Sequence, residues 1–459
     1  MLIKGVFLAG VFLALFLCGY AAESQGAQGT TALSVEKQGS DVEPKAGPPA
    51  FQGSSTGEPQ GALSLRQALH ETLLKNPELL AFSFELRAIE ARRLQAGLLP
   101  NPELSAELEN FGGSGSTRGV QSSEATIQLS QLIELGGKRA KRLHAAGLER
   151  DVAGFDYETK RLEILTDTTK AFVEALAAQE RLVLTTDLLR LAERVLGTVS
   201  ERVKAGKVSP VEETRARIAV STARLHTQQA QNTYAAARKR LASFWGSTTP
   251  RFERLSGSLE TTVSIPPEAQ LAAMLQKNPD IARWAVETDA RRAQVAVEQS
   301  KRIPDVTVSG GVRYLHETED HAFVVGFSLP LQLFDRNQGG IREARARLGQ
   351  VDLERRATEV QVGTALTEAY QNLVSAANEV QVLQKDVLPA THEMFQATQE
   401  GYRQGKFGFL DALDAQRTLF EIRGQFLEAL TAYHKAVADI ERLIGEELHA
   451  APPSDGEKR

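Results

Sequence analysis

Two hydrophobic periods alternate along the chain, and the change from one to the other happens twice. Leu104, Ala106 and Leu108 alternate with Glu103, Ser105, Glu107 and Glu109; after a Gly/Ser-rich turn, Ala125, Ile127 and Leu129 alternate with Glu124, Thr126, Gln128 and Ser130. A period of two puts one set on each face of a strand, so 103–133 predicts a β-hairpin with one apolar face. The pattern returns at 305–333. There Val306, Val308, Val312 and Tyr314 oppose Thr307, Ser309 and Arg313, and Phe323, Val325, Phe327, Leu329, Leu331 and Leu333 oppose Ala322, Gly326, Ser328 and Gln332. Strands of roughly 9 to 12 residues cross a bilayer when tilted. The same alternation also suits a soluble hairpin packed on helices.

The remaining pattern is helical. A helix rich in Ala, Leu, Glu and Arg precedes each hairpin, Leu65 to Leu98 and Pro267 to Arg302, stopped by Pro100 or Pro304. A much longer one follows each, Lys138 to Lys204 and Ile341 to Gln404, each roughly 100 Å at 1.5 Å per residue. In the second, Leu366, Leu373, Val380 and Val387 fall seven apart, with Ala369, Ala376 and Leu383 three behind, a coiled-coil seam. Both turn at a Gly-containing segment and return through shorter helices, Val211 to Leu241 and Phe409 to Leu443.

The plan is written twice. Lys75-Asn76-Pro77 returns as Lys277-Asn278-Pro279, and Ala205-Gly206-Lys207-Val208 ahead of Glu212 returns as Gln404-Gly405-Lys406-Phe407 ahead of Asp411. The resulting division is a repeat over 63–256, a linker over 257–265, a second repeat over 266–446 and a disordered tail over 447–459. The segment 22–62, rich in Gly, Ser, Gln, Pro and Thr, reads as a flexible leader.

Ahead of it, Lys4 followed by an apolar run from Val6 to Leu17 predicts a signal peptide over 1–21 and therefore export. Cys18, the single cysteine, excludes an internal disulfide and leaves two readings, removal with the signal or lipidation as the first mature residue. No later stretch reaches the length of an apolar spanning helix, which argues against an inner-membrane transporter. A formal charge of −5 without a basic block gives no grip for nucleic acid. No phosphate-cradling loop, metalloprotease motif or nucleophile elbow is present, so the chain is expected to catalyse nothing.

Four membrane strands have two edges, and an unpaired backbone group in lipid costs several kcal/mol, so such a sheet must close with copies of itself. The duplicated plan, Gln131-Leu132-Ile133-Glu134-Leu135-Gly136-Gly137-Lys138-Arg139 and the run from Ser328-Leu329-Pro330-Leu331 to Phe334-Asp335-Arg336-Asn337-Gln338-Gly339 resemble the outer membrane efflux protein (TolC) family over about residues 63–446. The Phe-Asp-Arg-Asn-Gln-Gly stretch is similar to the heavy-metal branch of the CzcC and CusC type. The resemblance implies a mainly α fold with a membrane β-barrel portion: four strands per protomer, twelve in a homotrimer embedded in outer-membrane lipid, continued by a long antiparallel α-helical barrel in the periplasm. It also implies a periplasmic adaptor and an inner-membrane pump of the resistance-nodulation-division type as partners. Drug export or protein secretion through the same fold, and an adaptor role, stand as rivals.

Three sets of site residues follow. Asp411 and Asp414, three apart on one helix face behind Tyr402-Arg403-Gln404-Gly405, resemble the family's periplasmic gate, with Glu212 at the matching place of the first repeat and expected to pair with Tyr402 across the hairpins. The family has a basic residue two positions after the glycine, where this chain has Phe407. Glu103, Glu107, Glu109 and Glu124 share the polar strand face with Arg313, predicting a cation-favouring lumen. His316, Glu317, Glu319, Asp320 and His321 form a charged loop; with Met nearly absent beyond Met274 and Met394, no bound metal or other cofactor is expected.

Overall fold

The computed structural model describes residues 57–448. The signal peptide, Cys18, nearly all of the leader and the tail beyond 448 lie outside the described residues. Strand β1 (Gly61–Ser64) leads into helix α1 (Leu65–Lys75) through a capping box: the Gln67 N–H donates to the Ser64 hydroxyl and the Gln67 side-chain oxygen accepts the Ser64 N–H. The last residues assigned to the leader are thus part of the fold, and Glu58 accepts a hydrogen bond from Ser247 and pairs with Arg251 at 3.6 Å.

The sequence pattern ran one helix from Leu65 to Leu98, but the chain breaks it at Asn76 and resumes as α2 (Pro77–Ala96). Pro77 has no N–H to donate to the preceding turn, and Asn76 starts the new helix by accepting from Glu78 and Leu79 N–H at 2.9 and 3.0 Å. Its amide also donates to the Phe244 carbonyl at 2.8 Å. The second repeat does the same. Helix α5 (Glu268–Met274) and a 3₁₀ turn (Leu275–Lys277) stop at Asn278, which caps α6 (Pro279–Ser300) through Asp280 N–H at 2.7 Å and donates to the Leu443 carbonyl at 2.8 Å. Both asparagines are buried, 4% and 2% exposed, so each ties the start of its repeat to the end of that repeat's returning helix.

Four antiparallel strands form one sheet in the order β2 (Glu103–Glu109), β3 (Glu124–Ile133), β5 (Val306–Leu315) and β6 (Asp320–Ser328), the two hairpins being joined by β3 and β5. That junction needs Gly311, where an added Cβ would stand 2.3 Å from the Ile127 carbonyl oxygen. The alternation predicts a last strand reaching Leu333; it stops at Ser328, ahead of Pro330, which cannot donate to a ladder. The outer strands β2 and β6 have no further partner among the described residues. A second, two-stranded parallel sheet pairs β1 with β4 (Phe252–Ser256), which no alternation announced.

Helix α3 (Lys138–Lys204) runs unbroken for 67 residues and returns as α4 (Pro210–Ser243). Its counterpart is interrupted. Helix α7 (Gln338–Val382) passes through a π-turn at Leu383–Val387 before α8 (Leu388–Arg403) and the returning α9 (Phe409–Ile444). Pro389, just inside α8, removes one N–H from the ladder, and the wider turn accommodates it. The predicted seam is in the core: Leu366, Ala369, Leu373, Ala376, Val380 and Leu383 are buried against α9, with Val387 packed at the edge. The linker is held there too, since the Tyr433 hydroxyl accepts from Val263 N–H at 2.9 Å and donates to the Val263 carbonyl at 3.0 Å. Leu448 reaches the same core.

Candidate channel sites

Both hairpin tips are built on a glycine in the left-handed region, Gly206 (φ +69°) and Gly405 (φ +76°), which lets the helix end in a tight reversal. At the first tip Lys207 N–H donates to the Arg202 carbonyl; at the second Lys406 N–H donates to the Gly401 carbonyl at 2.7 Å. Phe407, in place of the expected basic residue, packs against Gly401, whose added Cβ would stand 2.1 Å from the ring. The tip of the second hairpin is therefore closed within one protomer by an aromatic ring on a buried glycine.

The two tips meet through a small apolar cluster of Val199, Ala216 and Phe409, with Tyr402 and Leu413 packed around it. Tyr402 sits 6.0 Å from the Phe409 ring centre, and the Arg202 guanidinium stacks 4.7 Å from the centre of the Tyr402 ring. Burial raises the Tyr402 pKa, Arg202 opposes that shift and Glu212 adds to it. The expected Glu212–Tyr402 pair is thus an approach without a hydrogen bond: one Glu212 oxygen and the Tyr402 hydroxyl are both buried and unpartnered. Arg202 was not singled out from the sequence. It occupies the place in the first repeat that Gly401 has in the second, and that difference was its signal.

Asp411 and Asp414 are exposed on one face of α9. Asp411 accepts from its own helix start, Gly408 N–H at 2.9 Å, while the Asp414 carboxylate makes no hydrogen bond or ion pair among the described residues. The repeat offset of Glu212 onto Asp411 sets Arg215 opposite Asp414, so the acidic pair is a property of the second tip alone.

In the four-stranded sheet, alternation sorts the faces as predicted. Phe323, Phe327, Leu104 and Val325 are 87%, 81%, 74% and 71% exposed on one side, a continuous apolar surface wider than water tolerates on a lone protomer. On the other side Arg313 gathers the charges of three strands. It donates to Glu124 at 2.7 Å and to the Thr126 hydroxyl at 3.0 Å, and pairs with Glu109 at 3.4 Å. Glu103 and Glu107 stay outside this network with no ion pair among the described residues. Charge on this face is thus split into an ion-paired outer group around Arg313, which keeps one carboxylate in excess, and Glu103 with Glu107 nearer the helices.

The two sequence motifs are corners, where the sheet hands over to the long helices. Asp305 accepts from Leu135 N–H at 3.0 Å and from Lys138 at 2.7 Å, next to Gly136, whose positive φ and contact with Ile303 exclude a side chain. Asn337 (φ +56°) donates to the Glu298 carbonyl and carboxylate at 2.9 and 2.7 Å, while Asp335 accepts its N–H at 2.9 Å. No side chain of the Asp-Arg-Asn-Gln run stands with others in a metal-binding group. Among the described residues no cluster of three His, Cys, Asp or Glu side chains suits a metal ion; His316 and His321 instead flank Tyr314, ring centres 6.3 and 5.1 Å away. No helix among them is long and apolar enough to cross a membrane.

The outer membrane efflux protein profile matches residues 68–247 and 271–446. The chain belongs to the outer membrane efflux protein family. It is 36% identical over 388 residues to the cobalt-zinc-cadmium resistance protein CzcC of Cupriavidus metallidurans, covering 84% of this chain and 91% of that one. It is 31% identical to the nickel and cobalt resistance protein CnrC of the same organism, covering 65% of this chain and 73% of CnrC. Its fold matches crystal structures of CusC with a TM-score of 0.71 at 16% identity, over 85% of this chain and 96% of that one. Within the family frame the apolar sheet face meets outer-membrane lipid, and the long helices extend into the periplasm of an efflux channel.

Proposed function

We propose that three copies of this outer membrane efflux protein form a passive duct that releases heavy-metal cations, delivered from an inner-membrane pump of the resistance-nodulation-division type through a periplasmic adaptor. The observation that carries the cargo is the 36% identity to a cobalt-zinc-cadmium resistance protein over nearly the whole of both chains. The trimer rests on the unpaired β2 and β6 edges: three four-stranded sheets close a twelve-stranded barrel, and closure alone removes the edges in lipid. Exposed Val211, Ile218 and Leu225, seven apart on α4, supply a further stripe suited to a neighbouring helix.

Conduction then needs only geometry and charge. Each protomer contributes Glu103 and Glu107 to the lumen and Asp411 with Asp414 to the periplasmic end, so every ring is anionic and favours cations over anions. Six carboxylates from three second tips would repel one another unless cations neutralise them, which makes the narrow end sensitive to the cargo itself. The protein chemistry asks for no catalytic group and no resident metal or cofactor; the metal is cargo.

Deleting the gene in its native host and scoring growth tests the reading. Tolerance to Zn²⁺, Cd²⁺ or Co²⁺ should fall and return with a plasmid copy. Unchanged metal tolerance with new sensitivity to organic drugs would transfer the function to a drug duct.

A further inference from the structure

A cleft of about 480 Å³ opens between the two hairpins just above their tips, walled by α3, α8 and α9. Its charge is of one sign. Arg194, Arg202, Lys207 and Arg403 line it, and no carboxylate does. Arg194, Arg202 and Lys207 form no ion pair with any described residue, and Arg403 has only a loose contact with Glu400 at 3.6 Å on the exposed side. A duct for cations gains nothing from such a site, so lumenal selectivity does not account for it. The floor is apolar and aromatic, with Phe395, Phe409 and Leu413 among its residues.

One further side chain points to a ligand. Gln416 is 5% exposed, lines this cleft, and its amide makes no hydrogen bond with any described residue. An amide that reaches the cleft without a protein partner is available to a bound polar group. Three cations without a carboxylate partner, one of them stacked on Tyr402, an amide that reaches the cleft and an aromatic floor together define a receptor for a head and a body: an anionic head held by guanidinium and ammonium groups, and an apolar ring or short chain laid against Phe395 and Phe409.

We propose that this cleft binds a small organic anion, an aryl or alkyl phosphate or carboxylate, and that the bound anion clamps the two hairpins together. The cleft is shared by helices of both hairpins, so a ligand filling it favours the arrangement in which they touch and disfavours any in which they part. The clamping clause rests on the duct reading; the binding clause does not. Because the head is recognised by charge and the body by apolar contact, inorganic phosphate and an aryl phosphate separate the two contributions.

The full-length protein, purified in a non-ionic detergent, would be titrated with phenyl phosphate and with inorganic phosphate by calorimetry and by ³¹P line width. Phenyl phosphate should bind with a dissociation constant below about 1 mM, inorganic phosphate about tenfold more weakly, and Arg202→Gln with Lys207→Gln should weaken phenyl phosphate about tenfold or more. Arg194→Gln, at an exposed position, is the second variant should the pair disturb the tip; it should weaken binding several-fold with the helical circular dichroism unchanged. Equal binding by wild type and variants, or none at millimolar phenyl phosphate, overturns the site. In planar bilayers phenyl phosphate on the periplasmic side should reduce wild-type openings and leave the Arg202→Gln/Lys207→Gln protein unaffected. Binding without an effect on openings overturns the clamp alone, and absence of any channel from the wild type is a failure of the duct reading instead.

Discussion

The two helical hairpins share one plan and differ where a gate would use the difference. The first is anchored by α3, 67 residues without a break, and its tip places Arg202, Val208 and Arg215 where the second places Gly401, Phe407 and Asp414. The second carries a π-turn at Leu383–Val387 above its tip, an aromatic ring folded onto a glycine, and the exposed acidic pair. A duplicated sequence has thus kept its asparagine ties and diverged at its tips. The first hairpin is an unbroken strut, and the second carries both the π-turn in its backbone and the exposed carboxylates.

The largest effects should fall on what the halves share. Asn278→Ala removes a helix cap and leaves the Leu443 carbonyl buried without its donor, so it should cost about 2–4 kcal/mol in thermal unfolding followed by helical circular dichroism. Asn76→Ala should cost about as much; a loss confined to one of the two would break the equivalence of the repeats. Gly401→Ala drives a methyl into the Phe407 ring and should cost about 1–3 kcal/mol, with increased protease cleavage at the second tip and none at the first.

An acid titration sharpens the comparison at the sheet corner. Burial alone would raise the Glu298 pKa, but hydrogen bonds from Lys301 and Asn337 outweigh it and hold the carboxylate below its ordinary value. A lowered pKa contributes stability that is present above the ordinary glutamate range and is lost as pH falls through it. Asn337→Ala should therefore cost about 1–2 kcal/mol at neutral pH and much less near pH 3, which thermal melts across that range would read. A constant difference at all pH values would remove Glu298 from the corner. Smaller still, Pro389→Ala restores an N–H to the second hairpin and should raise its stability by about 1 kcal/mol or less while shortening channel openings. Lengthened openings would contradict a link between the π-turn and opening.

How much of this was legible depended on period and length. The 67 residues of α3 began and ended where the pattern placed them, because a long amphipathic seam leaves little freedom to tertiary context. The strands were legible because lipid demands an unbroken apolar face. The breaks at Asn76 and Asn278 were not anticipated, although Pro77 and Pro279 stood in plain view: a proline at the first turn starts a helix as readily as one inside it ends one. The β1–β4 pairing is not legible because its strands are four and five residues long and pair only with each other, too short for an alternation to show. At the second tip, spacing puts the two acids on one helix face, but the stacking of Arg202 on Tyr402 and the contact of Phe407 with Gly401 join residues that only the reversal of the chain brings together.

The claim that the second tip is the acidic gate of a trimeric duct is tested most directly by single-channel conductance of the purified protein in a planar bilayer, wild type against Asp411→Ala combined with Asp414→Ala. Small, cation-preferring openings from the wild type and larger, less selective ones from the double variant are the predicted result. Equal conductance and selectivity in the two proteins would contradict the gate, and a wild type that neither inserts nor conducts would contradict the duct.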